Sequence, residues 1–363
     1  MVTERRVFAA VPVPGLRPDS LGFYLASLGL FRSIARQWPN VRACWKDGDL
    51  QLVGGPEDLD EALDVLCDVA SRRLWIHYER RWADAQRERS KLTKKSGMPF
   101  ALWQASAEER HLELFAAHVA PSGSGSFNPL LGNGGKKGQR DFSEGWKVAV
   151  DALSAQSKKN SGAVEKRAEL EALLLGQPTQ WMVKDLNAAS WFSEANKLYN
   201  SGQSPFREGT ISPWAMVLAC EGLPFFSGGV SRRLGATARR LGAFPFVTSA
   251  SAPRSAGEAG HDEAEVWTPL WMRPMTLPEV STLFSRGRAE IGGRGKLTPS
   301  AFATAVVRRG VDAGITEFCR FVLGKTTAQD YSEPRFEGRI QVRTATRSAA
   351  IAPTAFERLS RPR

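Results

Sequence analysis

Cysteine and histidine are scarce in this chain. Cys44, Cys67, Cys220 and Cys319 lie far apart with no CxxC pair, and only His77, His111, His118 and His261 accompany them. Neither a zinc module nor a disulfide framework has the spacing it needs, so the sulfurs read as four reduced, packed thiols. No run of about 18 apolar residues is present, and the opening Met-Val-Thr-Glu-Arg-Arg leads only into a short apolar stretch followed by prolines. The expectation is a soluble, non-secreted, cytoplasmic protein with no membrane partner. Catalytic signatures are missing too: there is no GxSxG elbow, HExxH, Walker A loop or GxGxxG fingerprint. No enzyme activity and no cofactor are expected, and no internal repeat is visible.

Acidic residues are outnumbered. Lys and Arg total 49 against 38 Asp and Glu, a formal charge of +11. Charge speaks to partners rather than to fold, and the commonest partners of a basic soluble protein are polyanions. With 42% hydrophobic residues, 11 Trp and 19 Phe, the 363-residue chain can bury a sizeable core in two or three domains.

The pattern along the chain predicts an α+β protein, helix-rich with short mixed or antiparallel strands in a multi-lobed arrangement. Residues 6–13 read as a strand, and Pro18-Asp19-Ser20 supplies a helix start. Leu21, Tyr24, Leu25, Leu28, Phe31, Ile34 and Trp38 then follow at helical spacing. Asp47-Gly48 between apolar segments signals a two-residue hairpin. A further helix begins near Pro56, with Leu59, Leu63, Leu66 and Ala70 on its core face. From Arg72 to Lys95, nine basic residues stand against three acidic ones around Trp75, Tyr78 and Trp82. This segment reads as a solvated helix face or, alternatively, as rings and arginines that meet nucleic acid.

Ser154–Lys166 is polar and reads as the linker between an N-terminal α+β domain, 1–155, and a second, helix-rich α+β domain, 156–343. A basic flexible tail, 344–363, follows. Gly242–Val247 and Glu265–Trp271 have strand character, with prolines that suggest sheet edges. Helices are expected after Thr298-Pro299 and again after Asp312, the latter burying Ile315, Phe318, Cys319 and Val322.

Residues 122–142 hold six glycines in 21 residues, ending in Gly-Asn-Gly-Gly-Lys-Lys-Gly-Gln-Arg-Asp-Phe. Glycine lets backbone N–H groups approach an anion, and Asn and Gln are base-reading side chains. Asn128, Asn133, Lys136, Lys137, Gln139 and Arg140 are therefore candidate phosphate or base-edge contacts, against the plainer reading of a passive surface loop. The repeated Arg-Arg-Leu-Gly unit clusters Arg232, Arg233, Arg239 and Arg240 with no carboxylate among them. Arg286, Arg288, Arg294 and Lys296 form a comparable patch around glycines. Each patch suits nucleic acid or an acidic protein partner. Glu221, alone in an apolar run, reads as a buried structural carboxylate. The histidines read as ordinary core or surface residues, although His111 and His118 could share a helix face.

Several segments also stand in a family's order: Asn128-Pro-Leu-Leu-Gly-Asn-Gly-Gly with Asp141-Phe142, Pro213-Trp214 with Val217-Leu-Ala-Cys-Glu-Gly222, Arg232-Arg-Leu, Ala243-Phe-Pro-Phe246, Trp267-Thr-Pro-Leu-Trp271 and Gly287-Arg288. The set continues through Phe302, Ala305-Val306, Gly310-Val-Asp312 and Gly314-Ile315. In these motifs, from Leu16 to about Gly338, the chain resembles the large subunit of the type I-G CRISPR interference complex (Cascade), an antiviral defence assembly. It departs from the family at Lys136-Lys137, where Asn-Asp is usual, and lacks the family's Pro-Trp-Asn-Gly-Gly-Ser-Gly-Phe stretch. The resemblance implies a non-catalytic subunit that contacts the crRNA 5′ region and reads a protospacer-adjacent motif (PAM) in double-stranded target DNA. It also implies help in duplex opening and in recruiting a helicase-nuclease. The implied neighbours are the Cascade backbone subunit, a fused handle-binding and crRNA-processing subunit, and a small subunit. Two other readings compete: a nucleotide-dependent enzyme with an unrecognised phosphate-binding loop, and a stand-alone structural RNA-binding protein.

Overall fold

The computed structural model describes residues 10–71, 117, 119–120, 126–128, 130, 148–153, 162–178, 191–192, 212–230, 242–249, 264–286, 314–326 and 331–342. These form a mixed α+β structure whose main sheets are antiparallel. Strand β1 (Ala10–Val13) leads to helix α1 (Leu21–Gln37), then to strands β2 (Arg42–Lys46) and β3 (Asp49–Val53) and helix α2 (Leu59–Ser71). Short pairs β4 (Val119–Ala120) with β5 (Ser126–Phe127), and β6 (Gly229–Val230) with β7 (Gly242–Ala243), flank helices α3 (Gly162–Leu175) and α4 (Pro213–Gly222). Next come β8 (Val247–Ser249), β9 (Ala264–Trp271), β10 (Met275–Thr276) and α5 (Leu277–Arg286). The long hairpin β11 (Ile315–Thr326) and β12 (Tyr331–Gln341) closes the order.

Helix α1 starts where expected. Ser20 is its N-cap in an extended conformation, its hydroxyl accepting from the Phe23 N–H while donating to the Trp191 carbonyl at 3.2 Å. Burial reaches beyond the expected stripe, because neighbours cover the helix on more than one side. Ser27 and Ser33 are among its buried residues, and both donate back to the preceding turn, to Phe23 O at 2.9 Å and Gly29 O at 2.7 Å. Asp47 and Gly48 both adopt positive φ, 56° and 88°, the geometry of a type I′ turn that sets the β2–β3 register.

Helix α4 is buried at every position, with Pro213 at its first turn. It crosses α1 with backbone against backbone. A β-carbon built on Gly29 would lie 1.8 Å from Leu218 O, and one on Gly222 would lie 2.0 Å from Leu25 O. Only glycine permits this approach.

The first sheet runs β1-β3-β2-β10, so its fourth strand comes from residues 275–276. The second runs β12-β11-β9-β8. Trp271 Nε1 donates to Ala43 O at 2.8 Å and Tyr24 Oη to Pro269 O at 2.9 Å, tying β9 to the first sheet and to α1. Residues on both sides of position 155 share one hydrophobic cluster, from Val11 to Val342. Within it Phe284 meets Phe225, Phe226 and Phe246, and Phe318 joins Phe246 to Trp267. Phe246 occupies this junction at a φ of 53°, a strained backbone for a bulky residue that its packing holds in place.

Four expectations change, the first being that the strand read over Gly242–Val247 divides into β7 and β8, in different sheets, with a turn at residues 245–246. Residues 315–326 form a strand rather than a helix. The apolar spacing mimics a helix because β11 lies between β9 and β12 with several consecutive residues buried, and irregular register at Ile315/Glu317 and Arg320/Phe321 interrupts simple alternation. Gly162–Lys166, read as linker, opens α3. Strand β9 is interior despite Pro269. Trp267 N donates toward the β8 side, to Phe246 O at 2.9 Å, and alternation points the Pro269 nitrogen the same way, beyond the end of β8. No ladder bond is therefore lost, and the Tyr24 hydroxyl satisfies the carbonyl. The segments Arg72–Lys95 and 298–306, the histidines and the tail lie outside the described residues.

Candidate nucleic-acid interface

Of the residues expected to touch nucleic acid, two are described. Asn128 is fully buried. Its Nδ2 donates to Ala117 O at 2.8 Å and Phe226 O at 3.3 Å, and its Oδ1 accepts from Leu130 N at 3.0 Å. This corrects its expected role: an enclosed amide engaged with three backbone groups positions the chain and does not meet a polyanion. Leu130 O in turn accepts from Trp191 Nε1 at 2.6 Å, so the glycine-rich segment is fastened into the core at Asn128 and Leu130. Arg286 is the last residue of α5. Asn133, Lys136, Lys137, Gln139, Arg140, Arg232, Arg233, Arg239, Arg240, Arg288, Arg294 and Lys296 lie outside the described residues.

Two buried carboxylates are internal ties. Glu221, wholly buried as expected, accepts from Arg32 Nη1 at 3.0 Å and Arg36 Nη2 at 2.9 Å, fastening α4 to α1 beside the glycine crossing. Glu265 holds Arg320 through two hydrogen bonds, at 2.6 and 3.0 Å, and accepts from Trp267 Nε1 at 3.1 Å. Arg320 consequently stays protonated more firmly than usual, chiefly through that hydrogen-bonded pair. These acids are engaged by fixed cations, an arrangement suited to packing rather than proton transfer.

The thiols are free, as expected. Burial pushes Cys319 up to about 12 and Cys220 well above the ordinary thiol range, so neither is a nucleophile near neutral pH. Burial also raises Cys67, against a lowering by Arg167. Among the described residues, no group of three or more His, Cys, Asp or Glu side chains could hold a metal ion. No described helix is long and apolar enough to cross a membrane.

One basic site escaped the sequence reading. Arg17, before α1, and Arg339, on β12, converge over the Asp47–Gly48 turn. The β-carbon that Gly48 lacks would lie 3.1 Å and 3.3 Å from the two Arg339 Nη atoms and 3.7 Å from Arg17 Nη2. Their nearest carboxylates stand back: Arg17 Nε is 3.9 Å from Asp19, and Arg339 Nη1 is 3.9 Å from Glu317. Three distant chain segments build this site, so no local motif announces it.

No known family model matches the sequence, and no curated protein matches it.

Proposed function

We propose that the chain is a non-catalytic, nucleic-acid-binding large subunit of a crRNA-guided DNA surveillance complex of the type I-G kind, working in the cytoplasm as a multi-lobed protein. The observation that carries this reading is the ordered motif set together with the place of its residues. Asn128, Trp214, Glu221, Trp267 and Trp271 are all buried, so these motif residues supply framework, and Asn128 anchors the glycine-rich segment to it. The excess of 49 basic over 38 acidic residues supports a polyanionic partner. In this role base pairing with crRNA reads the target sequence, whereas protein contacts backbone phosphate and a few PAM base edges. Lys136, Lys137 and Arg140 neutralise phosphate, Asn133 and Gln139 inspect base edges, and the arginine patches meet guide, target or neighbouring subunits.

The test is native purification from the source cells followed by sequencing of bound RNA. The expected result is one class of RNA with a constant 5′ handle, co-purifying with a repeated backbone subunit. Replacing Lys136 and Lys137 with Ala should then make the slope of log affinity against log salt shallower by about 1.8 on duplex DNA. An RNA-free protein that binds Mg²⁺ and ATP tightly and turns ATP over would instead establish the enzyme reading. A protein carrying mixed cellular RNA without a backbone subunit would establish the stand-alone RNA-binding one.

A further inference from the structure

The guanidiniums over Gly48 differ from the other described arginines that approach carboxylates closely. Arg167 reaches Asp60 at 2.7 Å and Asp64 at 3.0 Å, Arg320 reaches Glu265 at 2.6 Å, and Arg32 and Arg36 reach Glu221 at 3.0 and 2.9 Å. Arg17 and Arg339 make no hydrogen bond to any described residue, and 3.9 Å to their nearest acids is too long for one. Glu317 accepts from Gln341 Nε2 through Oε1 at 2.9 Å and leaves Oε2 toward Arg339 at 3.9 Å. Two guanidiniums thus meet at one turn, each with a carboxylate at a loose ion-pair distance of 3.9 Å but with its planar donor fork unspent in hydrogen bonds. The Arg339 side chain is only 30% exposed, so water reaches it incompletely, whereas Arg17 is 53% exposed and opens the site to solvent.

The turn makes the convergence possible. Gly48 is required by its φ of 88°, and its missing side chain is the space over which the Arg339 guanidinium lies. An anion with several oxygens, placed between the forks, would accept hydrogen bonds from both, which neither Asp19 nor Glu317 does at 3.9 Å. Phosphate matches paired guanidiniums better than a single carboxylate does, because it offers more acceptor oxygens in a compact group.

We propose that Arg17 and Arg339, held over the Asp47–Gly48 turn, seat one backbone phosphate of a nucleic-acid strand. This rests on the nucleic-acid reading above and adds a contact outside the glycine loop and the arginine patches. The experiment measures binding of the full chain to fluorescein-labelled 20-nucleotide duplex DNA, single-stranded DNA and RNA across a salt series. The variants are R17Q/R339Q and R17K/R339K, with circular dichroism to check folding. The glutamine pair should bind about tenfold more weakly near 0.1 M salt, with a slope shallower by about 0.9 on duplex or about 0.7 on single strands. The lysine pair keeps the charge but loses the forks, so it should keep the slope and lose several-fold in affinity. If the glutamine pair fails to fold, R17Q alone, at the more exposed position, carries the same comparison.

Wild-type binding with an unchanged slope and affinity in a folded glutamine variant overturns the seat and leaves the nucleic-acid reading standing. Failure of the wild-type chain to bind any of the three probes removes both. A parallel arm follows thermal unfolding with and without inorganic phosphate, where stabilisation of the wild-type chain but not of the glutamine variant marks an anion site. If nucleic-acid affinity is meanwhile unaffected by the substitutions, the seat belongs to a free anion and the proposal is overturned.

Discussion

Replacing Gly29 or Gly222 with Ala sets two opposing effects against each other. Both glycines lie within helices, where alanine is favoured by about 1 kcal/mol on intrinsic propensity. Sterics point the other way. The added methyl carbon would stand 1.8 Å from Leu218 O or 2.0 Å from Leu25 O, and these are backbone atoms that no rotamer change removes. Restoring ordinary contact near 3.4 Å requires α1 and α4 to part by roughly 1.5 Å. A gap of that size forfeits about half or more of the dispersion energy across the crossing. It also stretches the Arg32 and Arg36 bonds to Glu221, now 3.0 and 2.9 Å.

Overpacking of this kind costs about 1–3 kcal/mol and, with the ion pair disturbed, should exceed the propensity gain. Each alanine is therefore expected to destabilise the chain by about 1–2 kcal/mol net. The two effects should not add, because the first substitution already separates the helices and makes room for the second. Equilibrium urea unfolding followed by tryptophan fluorescence measures this, Trp214 lying in α4 itself. A neutral or stabilising Gly29→Ala would refute the crossing geometry, and full additivity in the double variant would refute its shared cause.

Glu221→Ala should cost about 3 kcal/mol, since it removes the carboxylate that neutralises Arg32 at only 13% exposure and leaves it the longer bond to the residue 221 carbonyl, while Arg36, at 35%, can turn toward water. A urea midpoint unchanged at constant m-value would contradict this. Stability should also fall in alkali. Cys319 titrates near 12 in the fold against an ordinary 9.0, so above about pH 9 the unfolded chain loses a proton that the folded chain keeps. Each such group contributes a decline of about 1.4 kcal/mol per pH unit, fully expressed between the two pKa values. Unfolding series from pH 8 to 11 should show the decline, and Cys319→Ala should flatten it. An equal slope in that variant would mean that Cys319 does not contribute.

Where structure rests on neighbouring residues, the sequence was informative. Ser20 caps α1 because its hydroxyl reaches a backbone N–H three residues away, and Asp47-Gly48 turns because both positions tolerate positive φ. The solitary acid in an apolar helix could be read as buried, and Glu221 is. Its partners could not be read, for Arg32 and Arg36 stand 189 and 185 positions away. The same limit hid the candidate phosphate seat, which joins Arg17, Gly48 and Arg339 through a helix entry, a hairpin and a sheet-edge strand.

Residues 315–326 show the limit in a single element. Their apolar spacing suits a helix, yet strands on both sides supply backbone partners along most of the segment and make it β11. Local preference differs between helix and strand by about 1 kcal/mol or less per residue, so pairing and burial decide. Asn128 was legible as special but not as internal, because an amide's chemistry suits a base edge and a backbone clamp equally well. Local signals thus determined the cap of α1, the Asp47-Gly48 turn and helices α1 and α2. Only the assembled fold decided which polar groups face inward, because burial depends on elements the chain brings together from afar.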